Sequence, residues 1–271
     1  MGILDKKTAF VFPGQGSQTV GMGKDLAANS PAARAVFDMA GERIAGLCFE
    51  GPAKELNRTV NTQPALYTVC CAACAAVGEF VRPMVCAGHS AGEYAALYAA
   101  GAFSFEDGLA LIQKRAELMD QCAAAHPGGM AAVIGLAPEV LAEINGRVKG
   151  ICVNANINSP AQIVVSGEKA ALEEAAALYK EAGARRVVPL NVSGAFHSPL
   201  MEQAKEGLEK ALQLTRIAEC SVPVVANADA LPETDPGTVR ANLARQLTGS
   251  VRWVESVNRM IEMGAEAFVE A

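Results

Sequence analysis

Gly88-His89-Ser90-Ala91-Gly92 constrains this chain most, because it joins an apolar run, Met84 to Ala87, to a helix-favouring run, Glu93 to Ala100. The apolar run reads as a strand, and the G-x-S-x-G pattern allows a sharp strand-to-helix turn because its small residues do not obstruct the backbone. Such a turn lifts the serine hydroxyl above the sheet. The helix that follows aims its free amides and positive dipole end at that hydroxyl. The pentapeptide alone arises often by chance. Its setting makes Ser90 a candidate nucleophile rather than a merely tight turn.

A serine nucleophile needs a base, and the three histidines are His89, His126 and His197. His126 borders Pro127-Gly128-Gly129, which reads as a linker, and is expected at the surface. Neighbours on an elbow point apart, so His89 is placed as a support or substrate-contacting group. His197 lies in the loop Ser193-Gly194-Ala195-Phe196-His197-Ser198-Pro199 and is the candidate base. Between serine and histidine the aspartates are Asp107 and Asp120, both in a helical pattern with no loop to present them. A Ser-His pair oriented by a neutral acceptor is therefore expected.

The order of elements suggests an α/β chain. Thr8 to Phe12 reads as a strand entering Pro13-Gly14-Gln15-Gly16-Ser17, and helical patterns cover Ala32 to Ala45, Pro64 to Phe80 with Pro near its first turn, and Phe105 to Ala125. Next come a strand Met130 to Leu136, a helix Pro138 to Val148, strands Ile151 to Asn156 and Gln162 to Ser166, a helix Glu168 to Ala182 and a strand Arg186 to Val192. That β-α-β-β-α-β order is ferredoxin-like. Helices from Pro199 to Leu214, Pro236 to Leu247 and Val254 to Met263 follow, with strands Val222 to Ala226 and Ala267 to Val269. The expected architecture is a large α/β-hydrolase-like domain with a parallel-sheet core, residues 1–126 and 197–271, carrying an inserted ferredoxin-like α+β subdomain, residues 127–196. A ligand cleft is expected between them.

Composition narrows the function classes. A length of 271 residues, 51% of them hydrophobic, allows a sizeable core, and 25 glycines suit helices packed closely on a sheet. A net charge of −6 argues against a general nucleic-acid binder. The longest uncharged apolar stretch, Ala65 to Gly78, is short for a bilayer, and Met1 to Lys6 carries no secretory or myristoylation pattern. A cytoplasmic protein with no membrane partner is expected. The eight cysteines lie mostly in apolar segments, and the one C-x-x-C, Cys71 to Cys74, has no second pair, so no metal site is expected.

Phe10-Val11-Phe12-Pro13-Gly14-Gln15-Gly16-Ser17-Gln18, Gly88-His89-Ser90-Ala91-Gly92-Glu93-Tyr94, Lys114-Arg115 with Met119, Gly129-Met130-Ala131-Ala132, Asn158-Ser159-Pro160-Ala161-Gln162, Gly194-Ala195-Phe196-His197-Ser198-Pro199-Leu200-Met201, and Gln246-Leu247 ahead of Val251-Arg252-Trp253 occur in this order. Together they resemble the malonyl-CoA:acyl carrier protein transacylases and the acyltransferase domains of fatty-acid and polyketide synthases, along nearly the whole chain. The resemblance implies transfer of a malonyl group from malonyl-CoA to the phosphopantetheine thiol of acyl carrier protein through an ester on Ser90. It implies no resident cofactor, the coenzyme A thioester being substrate and the phosphopantetheine belonging to the carrier.

By the same resemblance the backbone amides of Gln15 and Ala91 form the oxyanion hole, and the Gln246 carbonyl orients His197. Arg115 pairs with the malonyl carboxylate, a task suited to its permanently charged, two-pronged donor. Met119 and Phe196 wall the acyl pocket, and the bulky Phe before the His accompanies malonyl over methylmalonyl. An acidic carrier calls for a basic patch, for which Lys180, Arg185 and Arg186 are candidates. The family pattern continues with a Gly-Pro-Gly turn and a helix beyond the point where this sequence ends, Phe268-Val269-Glu270-Ala271. Two rivals share the motifs: a serine hydrolase of esters or thioesters, and a non-enzymatic carrier-docking module.

Overall fold

The computed structural model describes residues 6–271; of the Met1 to Lys6 stretch, whose sequence carries no targeting pattern, all but Lys6 lies outside the described residues. The strands are β1 (Thr8–Phe12), β2 (Val85–Gly88), β3 (Gly128–Ile134), β4 (Cys152–Ser159), β5 (Gln162–Glu168), β6 (Arg186–Pro189), β7 (Val224–Val225), β8 (Pro232–Glu233) and β9 (Ala267–Glu270). They form a five-stranded sheet ordered β8-β7-β2-β1-β9 and a four-stranded sheet ordered β4-β5-β3-β6. The chain is an α/β protein whose larger sheet is parallel except for β8, which runs antiparallel to β7.

The β1 sequence Thr-Ala-Phe-Val-Phe is almost continuously buried, as a parallel strand with both faces covered must be. Its register with β2 pairs Phe12 with Gly88, so the loops after both strands leave the same sheet edge side by side. Ligand chemistry in open α/β sheets collects at that carboxyl edge.

In the smaller, antiparallel sheet, side chains alternate between two cores because the strand period is two. Ala131, Val133, Ile163 and Val165 pack with Leu141, Ile144, Ala171, Ala175 and Tyr179 of helices Pro138–Asn145 and Lys169–Glu181. Met130, Ala132 and Val164 point the other way and join the main core. Strand β4 is tied to the segment that precedes helix Trp253–Glu262 by a parallel bridge from Asn156 to Val251, with Val251 N donating to Ala155 O at 2.8 Å.

Several sequence expectations shift. Gly128 and Gly129 begin β3 instead of forming a linker: a Cβ on Gly128 would lie 2.6 Å from Gly167 O and 2.7 Å from Ala195 Cβ, so this glycine serves close strand packing. The helix expected over Ala32 to Ala45 is two, Pro31–Ala40 and Glu42–Glu50, broken at Gly41, whose φ of 85° an L-residue resists. The helix expected from Pro64 begins at Thr59, which places Pro64 inside it rather than in its first turn. This helix, Thr59–Val77, is by length and composition able to cross a membrane, yet more than half of its apolar window is buried inside the protein. The stretch from Pro199 starts as a short 3-10 turn, Pro199–Met201, before the helix Glu202–Leu214. The strand expected over Val222 to Ala226 is confined to Val224–Val225.

Candidate active site

The turn at Ser90 is strained, and its neighbours explain how it persists. Ser90 has φ of 53°, in the left-handed region that costs a residue with a Cβ. A Cβ on Gly88 would lie 2.0 Å from the Gly92 carbonyl carbon, and one on Gly92 would lie 2.3 Å from Phe12 O. The turn after β2 therefore locks against the end of β1, where the His89 amide donates to Phe12 O at 2.9 Å. Asn227, just after β7, holds both flanks: its Oδ1 accepts from Ser90 N at 2.7 Å, and its Nδ2 donates to Gly88 O at 2.7 Å.

His197, also left-handed at φ 56°, comes from the loop between β6 and Pro199. Its Nε2 lies 2.7 Å from Ser90 Oγ and its Nδ1 lies 2.8 Å from the Gln246 backbone carbonyl. A carbonyl only accepts, so Nδ1 carries the proton and Nε2 presents its lone pair to the serine O–H. Burial, then the Arg115 charge, lower the imidazole to about 3, although the Gln246 carbonyl opposes this. The folded protein thus holds this imidazole neutral.

A pH dependence follows. Below its ordinary value of 6.5 the imidazole of the unfolded chain binds a proton that the folded site refuses until about 3. Its contribution to stability is complete above 6.5 and is lost as pH falls toward the folded value. The melting temperature should therefore drop more steeply between pH 6.5 and 4.5 in the wild type than in His197→Gln. Parallel curves would refute the assignment.

Arg115 lies in helix Phe105–Ala125, on the same stripe as the buried Leu111, Ile112, Ala116, Met119 and Cys122. It is 0% exposed. Its Nη1 donates to Gln63 Oε1 at 2.7 Å, and its Nη2 donates to Gln246 Oε1 at 2.9 Å and Ser90 Oγ at 3.1 Å. The guanidinium carbon also sits 5.6 Å from the Tyr94 ring centroid. Among the described residues every direct partner is neutral. Glu93 is the nearby acid, fully buried, and burial pushes its carboxyl up to about 7 against the hydrogen bonds from Gln246 and Asn227 and the Arg115 charge.

A cavity of about 210 Å³ opens onto Ser90 and His197 and is lined also by Gln15, Gln63, His89, Met119, Asn158 and Phe196, with Met130, Ala132 and Val164 contributed by the smaller sheet. His89 Nε2 lies 2.8 Å from Asn158 Oδ1, and its ring meets Trp253 edge-on at 5.6 Å. The amides of Gln15 and Ala91 have no hydrogen-bond partner among the described residues and remain available as donors. Gln15 Nε2 reaches Thr59 Oγ1 at 3.4 Å.

The structure thus joins Ser90, His197, Arg115 and Gln246 directly, with Gln15, His89, Met119 and Phe196 around the same cavity. His126 is exposed at the end of its helix, and Lys180, Arg185 and Arg186 are exposed on the smaller sheet's side. The described residues contain no His/Cys/Asp/Glu group suited to a metal ion. Sequence reasoning gave no role to Gln63, Asn227 or Glu93. The available signals were a buried polar run, Asn61-Thr62-Gln63, within an apolar helix, and the position of Asn227 at the carboxyl end of a parallel strand.

The acyl transferase domain family matches residues 9–271. A malonyl CoA-acyl carrier protein transacylase from Bacillus subtilis is 44% identical, covering 97% of this chain and 86% of the relative. Among solved structures, an acyl carrier protein S-malonyltransferase from Vibrio cholerae is 40% identical with a TM-score of 0.94, over 97% of this chain and 89% of that one. A malonyl-transacylase in complex with its type II PKS acyl-carrier protein is 38% identical with a TM-score of 0.93, over 97% and 88% of the two chains. A family match from residue 9 to residue 271 and such identity along nearly the whole length lead to one conclusion: the chain belongs to the acyl transferase domain family.

Proposed function

We propose that this enzyme transfers a malonyl group from malonyl-CoA to the phosphopantetheine thiol of an acyl carrier protein, in fatty-acid or polyketide synthesis, by way of an ester on Ser90. The observation that carries the reading is a buried guanidinium, without a carboxylate partner among the described residues, hydrogen-bonded at 3.1 Å to the hydroxyl that the imidazole deprotonates. A fixed, desolvated cation beside a nucleophile selects an acyl group that brings its own carboxylate.

His197 Nε2 takes the Ser90 proton as the oxygen attacks the thioester carbon. The amides of Gln15 and Ala91 hold the oxyanion, and each such donor is worth about a hundred- to a thousandfold in rate. The carbon–sulfur bond breaks, and the imidazolium protonates the departing coenzyme A thiolate. In the second half His197 takes the carrier thiol's proton, sulfur attacks the ester, and Ser90 leaves with the proton from His197. Bonds and protons balance without a resident cofactor. Gln246 orients the imidazole through its carbonyl, Met119 and Phe196 wall the acyl group, and His89 steadies the cavity wall through Asn158.

The finer architecture belongs to the same proposal. Residues 1–126 and 197–271 form a hydrolase-like domain, and residues 127–196 an inserted ferredoxin-like one, a reading supported by the order β4-β5-β3-β6. The carrier docks over Lys180, Arg185 and Arg186. In favour of this, a groove of about 460 Å³ lined by Lys169 and Lys180 shares Met130, Leu190 and Val192 with the catalytic cavity. The reaction is placed in the cytoplasm.

Incubation with malonyl-CoA in the absence of carrier separates transfer from hydrolysis. A single stoichiometric burst of free coenzyme A and a persistent malonyl adduct on Ser90 are expected. Continuous release of malonate would instead assign a thioester hydrolase, and no adduct at all would assign a docking module.

A further inference from the structure

Glu93 lies in the first turn of the helix that follows the elbow, three residues beyond the nucleophile, and it does not line the catalytic cavity. Its Oε2 accepts from Gln246 Nε2 at 2.8 Å and from the Asn227 backbone amide at 3.0 Å. Together with the Ser90 backbone carbonyl, which accepts from the same Nε2 at 3.1 Å, this carboxylate oxygen, the shorter contact, fixes which end of the Gln246 amide faces which neighbour. With Nε2 turned to Glu93, Gln246 Oε1 is left to accept from Arg115 Nη2 at 2.9 Å. Reversal of the amide would set an NH2 against the guanidinium, donor against donor, and deprive Nη2 of that acceptor.

We propose that Glu93 is a positioning residue: through the side-chain amide of Gln246 it holds the Arg115 guanidinium in the pose that receives the carboxylate of the acyl donor. The inference rests on the reading of Arg115 given above and assigns the support for that specificity to a group that never meets the substrate. The Oε1 atom of Glu93 is buried with no hydrogen-bond partner among the described residues. A proton on the carboxyl therefore resides on Oε1, and Oε2 remains an acceptor in either protonation state. Glutamine can reproduce this arrangement, with its oxygen at the Oε2 position, whereas alanine cannot.

The test is the ratio of kcat/KM for malonyl-CoA to that for acetyl-CoA, with carrier protein as acceptor. Glu93→Ala should lower this ratio roughly tenfold to a hundredfold, the scale of a misplaced binding group. Glu93→Gln should return it close to the wild-type value. A merely structural role would depress both donors together and leave the ratio unmoved, which would overturn the inference. Should Glu93→Ala not fold, Glu93→Met removes the acceptor while filling most of the same volume, and the same fall in ratio is expected. Arg115→Ala is measured alongside. If it fails to change the ratio, the reading of Arg115 falls and takes this inference with it. If it changes the ratio while Glu93→Ala and Glu93→Met do not, only the role of Glu93 is refuted.

Discussion

Ser90→Ala should abolish the malonyl adduct seen by intact mass after brief exposure to malonyl-CoA and reduce transfer to carrier protein on the order of 10⁴- to 10⁶-fold. The expectation is this large because the hydroxyl has three functions at once. It would form the ester in the proposed reaction, and it donates its proton to His197 Nε2 at 2.7 Å and accepts from Arg115 Nη2 at 3.1 Å. No neighbouring group can substitute for it, since the cysteines of the chain lie outside the cavity lining and burial raises most of their thiols, Cys86 beyond the usual range and Cys70 to about 12. Alanine suits the small space, and the strained turn should survive because the clamp by Asn227 uses backbone atoms of residues 88 and 90. A folded Ser90→Ala protein that still acquires a malonyl group would remove the serine from the mechanism.

What the sequence disclosed about this site depended on how local the cause was. The elbow was legible because its pattern lies within five residues: a serine at the turn, and a glycine at 88 that Gly92 itself would press to 2.0 Å. Strands β1 and β2 were legible because a buried parallel strand must be apolar along its length. The linker misassigned at Pro127-Gly128-Gly129 shows the opposite case. Glycine signals a loop when judged by backbone freedom, but here the missing Cβ makes room for Gly167 O and Ala195, a packing fact set by residues distant in sequence.

Arg115 stands between these extremes. Its place on the stripe with Leu111, Ile112, Ala116 and Met119 marks it as facing inward, and an inward arginine needs partners. Those partners, Gln63 and Gln246, are 52 and 131 residues away, and no periodicity names them. Asn227 and Glu93 were hidden for the same reason. Each is a short polar residue whose function comes from a three-way contact that only the folded chain assembles.

Arg115→Ala should lower kcat/KM for malonyl-CoA by roughly 10²- to 10⁴-fold, the equivalent of the 3–5 kcal/mol that a buried charge costs when its partner is removed. The acyl carboxylate would then face the side-chain oxygens of Gln63 and Gln246, both of which the guanidinium now occupies. Acetyl-CoA brings no such charge. Its loss should be limited to the hydrogen bond from Nη2 to Ser90 Oγ, about tenfold on the scale of a single bond from a charged donor. The variant should therefore lose its preference for malonyl over acetyl donors rather than its chemistry. Arg115→Lys should recover little, because a single ammonium cannot reach Gln63, Gln246 and Ser90 from one position as the planar fork does. Steady-state kinetics with the two thioesters decide the matter: equal losses for both would make Arg115 a prop for the serine, and donor selection would have to come from elsewhere in the cavity.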